Sequence, residues 1–531
     1  MTPYRKWKSP PTRRHRQSKG HKKGMILKDI IKDAGAVAVK GRLDRDCGGI
    51  FSDSRKVTPG SLFIAVKGFA SDGHDYIEKA VRSGASAIVY ENDEALASQL
   101  AKISPANDLE AKSGRISLIE NLTLVKVESS RHSLAIMAAN FYGNPSSKLN
   151  LVGITGTNGK TTTVTLLYDM FMKLGYNCGL LSTIANYVGK TMSETANTTA
   201  DPITINSLLA QMVDQGCEYC FMEVSSIGVE QERVAGLHFK AGIFSNLTHD
   251  HLDYHGTFAE YLRCKKLFFD NLEKGACAIT NVDDKNGLVM VQNTPAKVVT
   301  YSCRSMADHT CKVVEESFDG MQLRIDGKET WTRLIGRHNA YNLLAIYTTA
   351  VVLGTDPEEA LVALSDLSSA KGRLETMRGP RDMAVVIDYA HTPDALENVL
   401  STLRDIAPSR LLVCLFGCGG DRDRTKRPEM AAISEKYADR IFVTSDNSRT
   451  EKTSDILAEI KTGFSKEGLR KAIFIEDRKE AIRAAITLSP EGSTVLLAGK
   501  GHETYQIIGT EKRHFDEREV VKEIFGQTDV L

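Results

Sequence analysis

No run in this chain approaches the roughly 18 consecutive apolar residues that a membrane span needs, and no apolar h-region stands near its start, which excludes a secretory signal. Cysteine is present but not as a framework. The ten residues, among them Cys47, Cys178, Cys264, Cys303 and Cys414, lack the dense, even spacing of a disulfide scaffold. A reducing cytoplasm is therefore the expected location. Cys217 and Cys220 form a lone CxxC in an apolar stretch leading into Phe221-Met222; with no second pair to complete a zinc site, they read as buried thiols. Aromatic residues are few, at 7%. No repeat with a period of roughly 20–50 residues recurs, which excludes solenoids.

Net charge is also nearly absent, at +1, yet it is unevenly placed. Residues 1–24 carry nine Lys or Arg and no acid, so removing them leaves −8 on the rest. A basic arm of this kind can bind nucleic acid or anionic lipid, or act as a targeting segment. Because Met25-Ile-Leu-Lys-Asp-Ile-Ile reads as a natural first helix, residues 1–24 are expected to be a disordered extension or an over-long start. With the charge confined to the tail and few aromatics, no nucleic-acid partner is expected.

What is present is the composition of a globular enzyme: 42% hydrophobic and 25% charged residues. The 531 residues predict about three globular units. Strand-like runs at 60–66 and 85–90 flank a helical stretch at 76–83, giving a small N-terminal unit at 25–126. A strand at 149–155 runs through a glycine-rich turn into a helix at 161–174. Further strands at 220–224, 241–245 and 277–280 complete a mainly parallel sheet in 127–372. A second series at 384–387, 411–416, 440–444, 472–475 and 494–498 gives another in 373–531. The fold class expected is α/β with three domains: a small N-terminal domain and, behind it, two α/β domains in tandem.

The segment Gly153-Ile-Thr-Gly-Thr-Asn-Gly-Lys-Thr-Thr places small residues where backbone N–H groups approach phosphate oxygens, with Lys160 as a cation and Thr161 as a hydroxyl for magnesium. The following helix adds its positive dipole end. The usual Walker spacing fails, because Ile154 stands where it requires glycine. The shorter form Gly156-Thr157-Asn158-Gly159-Lys160-Thr161-Thr162 resembles instead the ATP-binding signature of the Mur ligases and their folylpolyglutamate synthase relatives. The resemblance continues in order through Glu223-Val-Ser-Ser, Asn246-Leu-Thr-His-Asp-His-Leu-Asp-Tyr-His, Gly336-Arg-His-Asn-Ala-Tyr-Asn, Gly372-Arg-Leu-Glu, Asp388-Tyr-Ala-His-Thr-Pro and Gly417-Cys-Gly-Gly-Asp-Arg-Asp. It covers roughly residues 25–531, and it implies a small N-terminal UDP-binding α/β domain, a central P-loop ATPase domain and a C-terminal Rossmann-like domain.

The resemblance implies an ATP-dependent ligase that activates a peptide carboxylate as an acyl phosphate and then joins it to an amine. It implies Lys160 at the phosphates, Thr161 holding one Mg²⁺, and Glu223 and His251 reaching a second. Taken alone, Asp250-His-Leu-Asp-Tyr-His reads better as a polar loop than as a metal site. Lys265 stands where the family carries a carbamylated lysine (N6-carboxylysine). An ordinary helix lysine is the alternative, and Lys266 is a rival. His338, Asn339 and Asn342 match the adenine-reading positions, while Arg373 and Asp388 match groups that reach phosphate and ribose from the third domain, so that the site is expected to close around ATP. His391 lies beside them.

Ser54 and Arg55 resemble the N-terminal block that receives the UDP group, and Asn197, Thr198, Thr199, Ser225, Gln231 and Arg233 match positions that hold a muramoyl peptide. Ile227 departs from a histidine common there. Asp446-Asn447-Ser448-Arg449 resembles the family's Asp-Asn-Pro-Arg motif, with Ser448 in place of proline. Together with Arg422, Gly499 and Glu503 it points to diaminopimelate rather than lysine as the added residue, because an Arg fork grips the second carboxylate and would be left unpaired by lysine. The selectivity expected is roughly 10⁴-fold. Partners are then small molecules only (UDP-N-acetylmuramoyl dipeptide, meso-diaminopimelate and ATP), and a monomer is expected.

Overall fold

The computed structural model describes residues 24–68, 71–103, 119–195, 197–248 and 252–528; the expected extension, apart from Gly24, lies outside them. The chain divides into two compact units, 1–141 and 142–531.

In the first unit the described residues form a five-stranded sheet in the order Ala36–Lys40, Thr123–Val127, Ala87–Tyr90, Leu62–Ile64, Ile50–Phe51. The first pair is antiparallel and the others are parallel. Phe63, Ile77, Ala80, Val81 and Ile88 make its core. The expected opening helix is corrected here. Met25–Ile26 is a strand paired with Asp46–Cys47, and only Leu27–Ile30 is helical. Leu27 and Lys28 donate their amides to the carbonyls of Arg45 and Leu43, so tertiary pairing overrides a local helical pattern. The helix Ser130–Phe141 belongs to this unit, with Ser133 Oγ donating to Ala34 O at 2.6 Å.

The second unit carries two large sheets. In one, six neighbouring strands run parallel: Cys178–Leu181, Tyr219–Glu223, Asn150–Thr155, Phe239–Phe244, Cys277–Asn281 and Lys297–Ser302. Short antiparallel strands extend it at one edge, and the meander 309–332 extends it at the other. One face buries Val152, Ile154, Phe221 and Ile243 against the helices Lys160–Lys173 and Arg337–Val352. The opposite face buries Leu151, Met222 and Phe244 against Pro202–Asp214 and Phe258–Asp270. Burial on both faces is the reason these strands read as continuous apolar runs.

The second sheet has the order Glu375–Arg378, Ala384–Asp388, Thr494–Ala498, Leu412–Phe416, Arg440–Val443, Ala472–Phe474, parallel except for the first strand. The last strand in sequence inserts beside the second, so connections depart to opposite sides there, and the crevice at the carboxyl ends of the strands opens at that switch point. Turns 388–392, 416–423, 444–451 and 498–503 all leave from those ends. Residues 505–514 form a hairpin that sequence patterning did not indicate. No helix among the described residues is long and apolar enough to cross a membrane.

Candidate active site

The strand Asn150–Thr155 ends in the phosphate loop, whose shape demands glycine at two points. Gly156 has φ +153°, and a Cβ there would sit 1.9 Å from Ser245 Oγ. Gly159 has φ +87°, and a Cβ there would sit 2.4 Å from Asn342 Oδ1. Neighbouring strand ends hold the loop: Thr157 N donates to Asn246 O, Asn158 N donates to Asn246 Oδ1, and Thr157 Oγ1 lies 3.1 Å from Tyr261 OH. Lys160 Nζ folds back onto the carbonyls of Gly156 and Thr157, at 2.9 and 2.8 Å.

Three cavities follow one another along this edge. The first, about 340 Å³, is lined by Asn158, Gly159, Thr162, His338, Asn339 and Asn342 from one sheet and by Arg373 and Asp388 from the other. Asn339 is buried and donates to Ile335 O, while its Oδ1 accepts from Asn342 Nδ2 at 2.9 Å. The pair is thus pre-set before any ligand arrives. Asp388 accepts from Leu374 N and Ala390 N. Burial pushes its carboxyl above the usual carboxylate range, against the pull of Arg373 and these amides.

The second cavity, about 320 Å³, shares Arg373 and Asp388 with the first and adds Lys160, Thr161, Glu223, Ser225, Thr198 and Lys265. Arg373 Nη2 lies 3.5 Å from Thr161 Oγ1, so the two halves of the site already meet. Glu223 is buried; its Oε1 accepts from Thr183 N at 2.8 Å, and its Oε2 has no hydrogen-bond partner among the described residues. Lys265 is buried, donates to Gly156 O at 2.7 Å and lies over the Tyr261 ring. Lys266 instead pairs with Asp270 on the same helix and is not among the cavity residues. Behind this wall Thr199 Oγ1 donates to Glu223 O, and Arg233 donates to Thr199 O and to Gln231 Oε1. Asn197, whose carbonyl accepts from Thr195 Oγ1, stands one residue before Thr198. His251 and Asp250 lie outside the described residues.

The third cavity, about 690 Å³, shares Tyr389, His391 and Thr392 with the second. Arg422, Asp446, Asn447, Arg449, Gly499 and Glu503 all line it. Behind its lining, in contact with Asp446, Asn447 and Glu503, is a residue to which sequence reading assigned no role of its own. Lys500 is fully buried and reaches Asp446 Oδ1, Asn447 Oδ1 and Glu503 Oε2 at 3.3, 3.1 and 3.1 Å. Burial alone would raise the Asp446 carboxyl, but Lys500 and Arg478 outweigh it and hold the group below its ordinary value. Arg449 adopts φ +50°, with Nη1 donating to Gly420 O at 2.8 Å. Its backbone is fixed by the 505–514 hairpin, through Arg449 N to Ile507 O and Gly509 N to Arg449 O. Arg427, also fully buried, clamps Glu451 and Glu459 and donates to Gly419 O, tying both loops of the pocket together. An arginine one helical turn beyond the Asp-Arg-Asp segment carried no local signal for this role.

Ser54 and Arg55 lie in the first unit. Ser54 is buried, and the exposed Arg55 forks onto Asp53, with Nη2 2.9 Å from Oδ2.

Sequence comparison agrees with this arrangement of loop, cleft and pocket. Residues 154–350 match the Mur ligase middle domain, 372–501 the Mur ligase glutamate ligase domain, and 47–142 the Mur ligase family catalytic domain. The UDP-N-acetylmuramoyl-L-alanyl-D-glutamate–2,6-diaminopimelate ligase of Phocaeicola vulgatus is 48% identical over 503 residues, 94% of this chain and 100% of that protein. The enzyme of the same name from Cytophaga hutchinsonii is 48% identical over 94% of this chain and 99% of its own length. Among solved structures, a ligase of that name superposes with a TM-score of 0.66 at 28% identity, covering 95% of this chain and 99% of the other. With three family domains matched in order and relatives similar from end to end, the chain belongs to the Mur ligase family.

Proposed function

We propose that this protein is an ATP-dependent ligase that joins meso-diaminopimelate to UDP-N-acetylmuramoyl-L-alanyl-D-glutamate in the cytoplasm, acting as a monomer in peptidoglycan precursor synthesis. The observation that carries this reading is the run of three cavities sharing walls, the first two through Arg373 and Asp388 and the last two through Tyr389, His391 and Thr392. A nucleotide, a carboxylate to be activated and an incoming amino acid need that order.

The nucleotide base lies against Asn339 and Asn342, and its phosphates over Gly156–Thr162, where loop N–H groups and Lys160 take up negative charge. The peptide carboxylate enters the second cavity, ordered by Asn197, Thr198, Thr199, Ser225, Gln231 and Arg233, with Ser54 and Arg55 of the N-terminal domain receiving the UDP group. It attacks the γ-phosphorus, ADP departs, and the amine then attacks the acyl carbon and expels phosphate. Both steps gather anionic oxygens, so fixed cations and dipoles supply most of the catalysis. The donor set fits magnesium. Glu223 Oε2 is a buried carboxylate oxygen without a hydrogen-bond partner among the described residues, on the same wall as Thr161, and oxygen ligands suit that ion. By resemblance His251 completes the set. Bound there, Mg²⁺ supplies positive charge to the phosphate and carboxylate oxygens. Lys265, carried as its carbamate, supports that site as an anion.

Selection of the amine rests on Arg449, with Arg422, Asp446, Asn447, Gly499 and Glu503. The test is phosphate release from ATP, Mg²⁺ and the UDP-muramoyl dipeptide, with meso-diaminopimelate or L-lysine as acceptor. Turnover with diaminopimelate exceeding that with lysine by roughly 10⁴-fold is expected. Turnover with lysine alone would retain the ligase and overturn the role of Arg449; none with either would overturn the substrate assignment.

A further inference from the structure

The proposed reaction leaves one chemical need unmet. Near neutral pH the incoming amino group is an ammonium ion with no lone pair, and it must lose a proton before it can attack. The base has to stand where the activated carboxylate and the amino acid meet. Only Tyr389, His391 and Thr392 line both the second and the third cavity among the described residues. A threonine hydroxyl is no base, and burial pushes the Tyr389 phenol up to about 12.

His391 is arranged differently. Its Nδ1 lies 2.8 Å from Tyr389 O, and since a carbonyl only accepts, Nδ1 must carry the proton and donate. That leaves a lone pair on Nε2 in the neutral ring. The ring is also fixed in place: its centroid is 4.6 Å from that of Tyr389, which in turn packs against His502 and under the Arg373 guanidinium. Lys426 Nζ donates to the His391 carbonyl at 3.0 Å, holding the backbone. His391 is itself exposed, and it lines both cavities. Loss of hydration there, helped by Lys426 and Arg373 and opposed by the Tyr389 carbonyl and Asp446, keeps it neutral below the ordinary imidazole range.

Among the carboxylates of these cavities, Asp446 and Glu503 are bound to Lys500, Asp388 holds two backbone amides and Asp423 caps Thr425. Asp394 and Glu429 line the third cavity but not the second, and Glu223 lines the second but not the third, so none of these three stands at the junction.

We propose that His391 is the general base of the ligation step, its Nε2 taking a proton from the incoming ammonium at the junction of the two cavities. The inference rests on the ligase reading above. The ammonium gives one proton to Nε2, and its freed electron pair forms the C–N bond at the acyl carbon. The carbonyl π pair moves to oxygen, then returns as the C–O bond to phosphate breaks. The nitrogen's second proton leaves with the phosphate, and the imidazolium releases its proton to solvent.

Hydroxylamine separates this role from the others, because it is neutral at pH 7.5 and attacks an acyl phosphate without a base. Wild-type enzyme, H391Q and H391A are each given ATP, Mg²⁺ and the UDP-muramoyl dipeptide, with either hydroxylamine or diaminopimelate as acceptor. The variants are expected to form hydroxamate within about threefold of wild type, while kcat for diaminopimelate falls roughly 10²–10⁴-fold with little change in its KM. The acid limb of the wild-type pH profile is expected to vanish in H391Q, and added imidazole to restore part of the activity of H391A. Equal loss with both acceptors, a change confined to KM, or no loss would each overturn the proposal. Absence of hydroxamate with the wild-type enzyme would instead overturn the ligase reading on which it rests.

Discussion

Lys265 and Lys266 are adjacent and chemically identical, yet their surroundings separate them. Lys265 is buried under the phosphate loop with its Nζ on Gly156 O, and Lys266 is spent on a salt bridge one helical turn away. Removing a fixed group beside transferring phosphate costs on the order of 10²–10³-fold in rate. Lys265→Ala is therefore expected to lower ADP formation by at least that much, while Lys266→Ala stays within a few-fold of wild type. Comparable losses in both would refute the assignment of Lys265. Lys265 was singled out by its resemblance to the family's lysine, with Lys266 as a rival; a helix turns about 100° per residue, so only the packing of the helix decided which of them faces the cavity. Lys500 makes the same point in reverse. Its neighbours Gly499 and Glu503 stood out by resemblance, but two of its three side-chain contacts, Asp446 and Asn447, lie on a loop more than fifty positions earlier.

At the scale of elements, the phosphate loop works as a hinge between strand and helix that only glycine can shape. Alanine at position 159 would have to adopt a left-handed backbone, at about 1–2 kcal/mol, and its Cβ would push on Asn342 Oδ1. Since Asn342 is held by Asn339 on the wall of the nucleotide cavity, Gly159→Ala is expected to raise KM for ATP about tenfold or more and to lower thermal stability. Initial rates against ATP concentration check this, and an unchanged KM would show that the Asn pair plays no part in nucleotide binding. This element was legible in the sequence because strand, turn and helix are contiguous. The hairpin 505–514 was not. Its strands are half-exposed or exposed, they lack an apolar alternation, and the hairpin is held through hydrogen bonds to Ser445, Asp446, Asn447 and Arg449 on a distant loop.

For the whole molecule, the cleft between the two sheets of the second unit sets a dependence on pH. His502 packs against Tyr389, and its buried Nδ1 has no hydrogen-bond partner among the described residues. Burial, with the charges of Arg373 and Arg518 added, lowers its pKa from 6.5 to about 3. Between those values the unfolded chain binds a proton that the folded chain does not. Stability must therefore fall as pH drops from 6.5 toward 3, by up to about 1.4 kcal/mol per pH unit from this one group. In His502→Asn the loss of thermal midpoint between about pH 6 and pH 4 is expected to be smaller than in wild type. An equal loss in both would show that the ring titrates normally in the folded state.

The division between sequence and tertiary structure follows from the range of the interactions involved. Periodicity and turn residues act between neighbours, so the parallel strands that were expected fell within a residue or two of their places, though Cys178–Leu181 and Lys297–Ser302 were not among them, and the glycine loop, the Asp446–Arg449 motif and the family resemblance were all legible in the linear order. The opening helix shrank to one turn because amides at Leu27 and Lys28 found carbonyls more than a dozen residues away. Likewise, the burial of Arg427 and Lys500, the choice between two lysines, the proton on His391 Nδ1 and the meeting of three cavities are consequences of packing between distant segments. Such contacts leave no periodic trace in the chain, since each depends on where the other segment comes to rest.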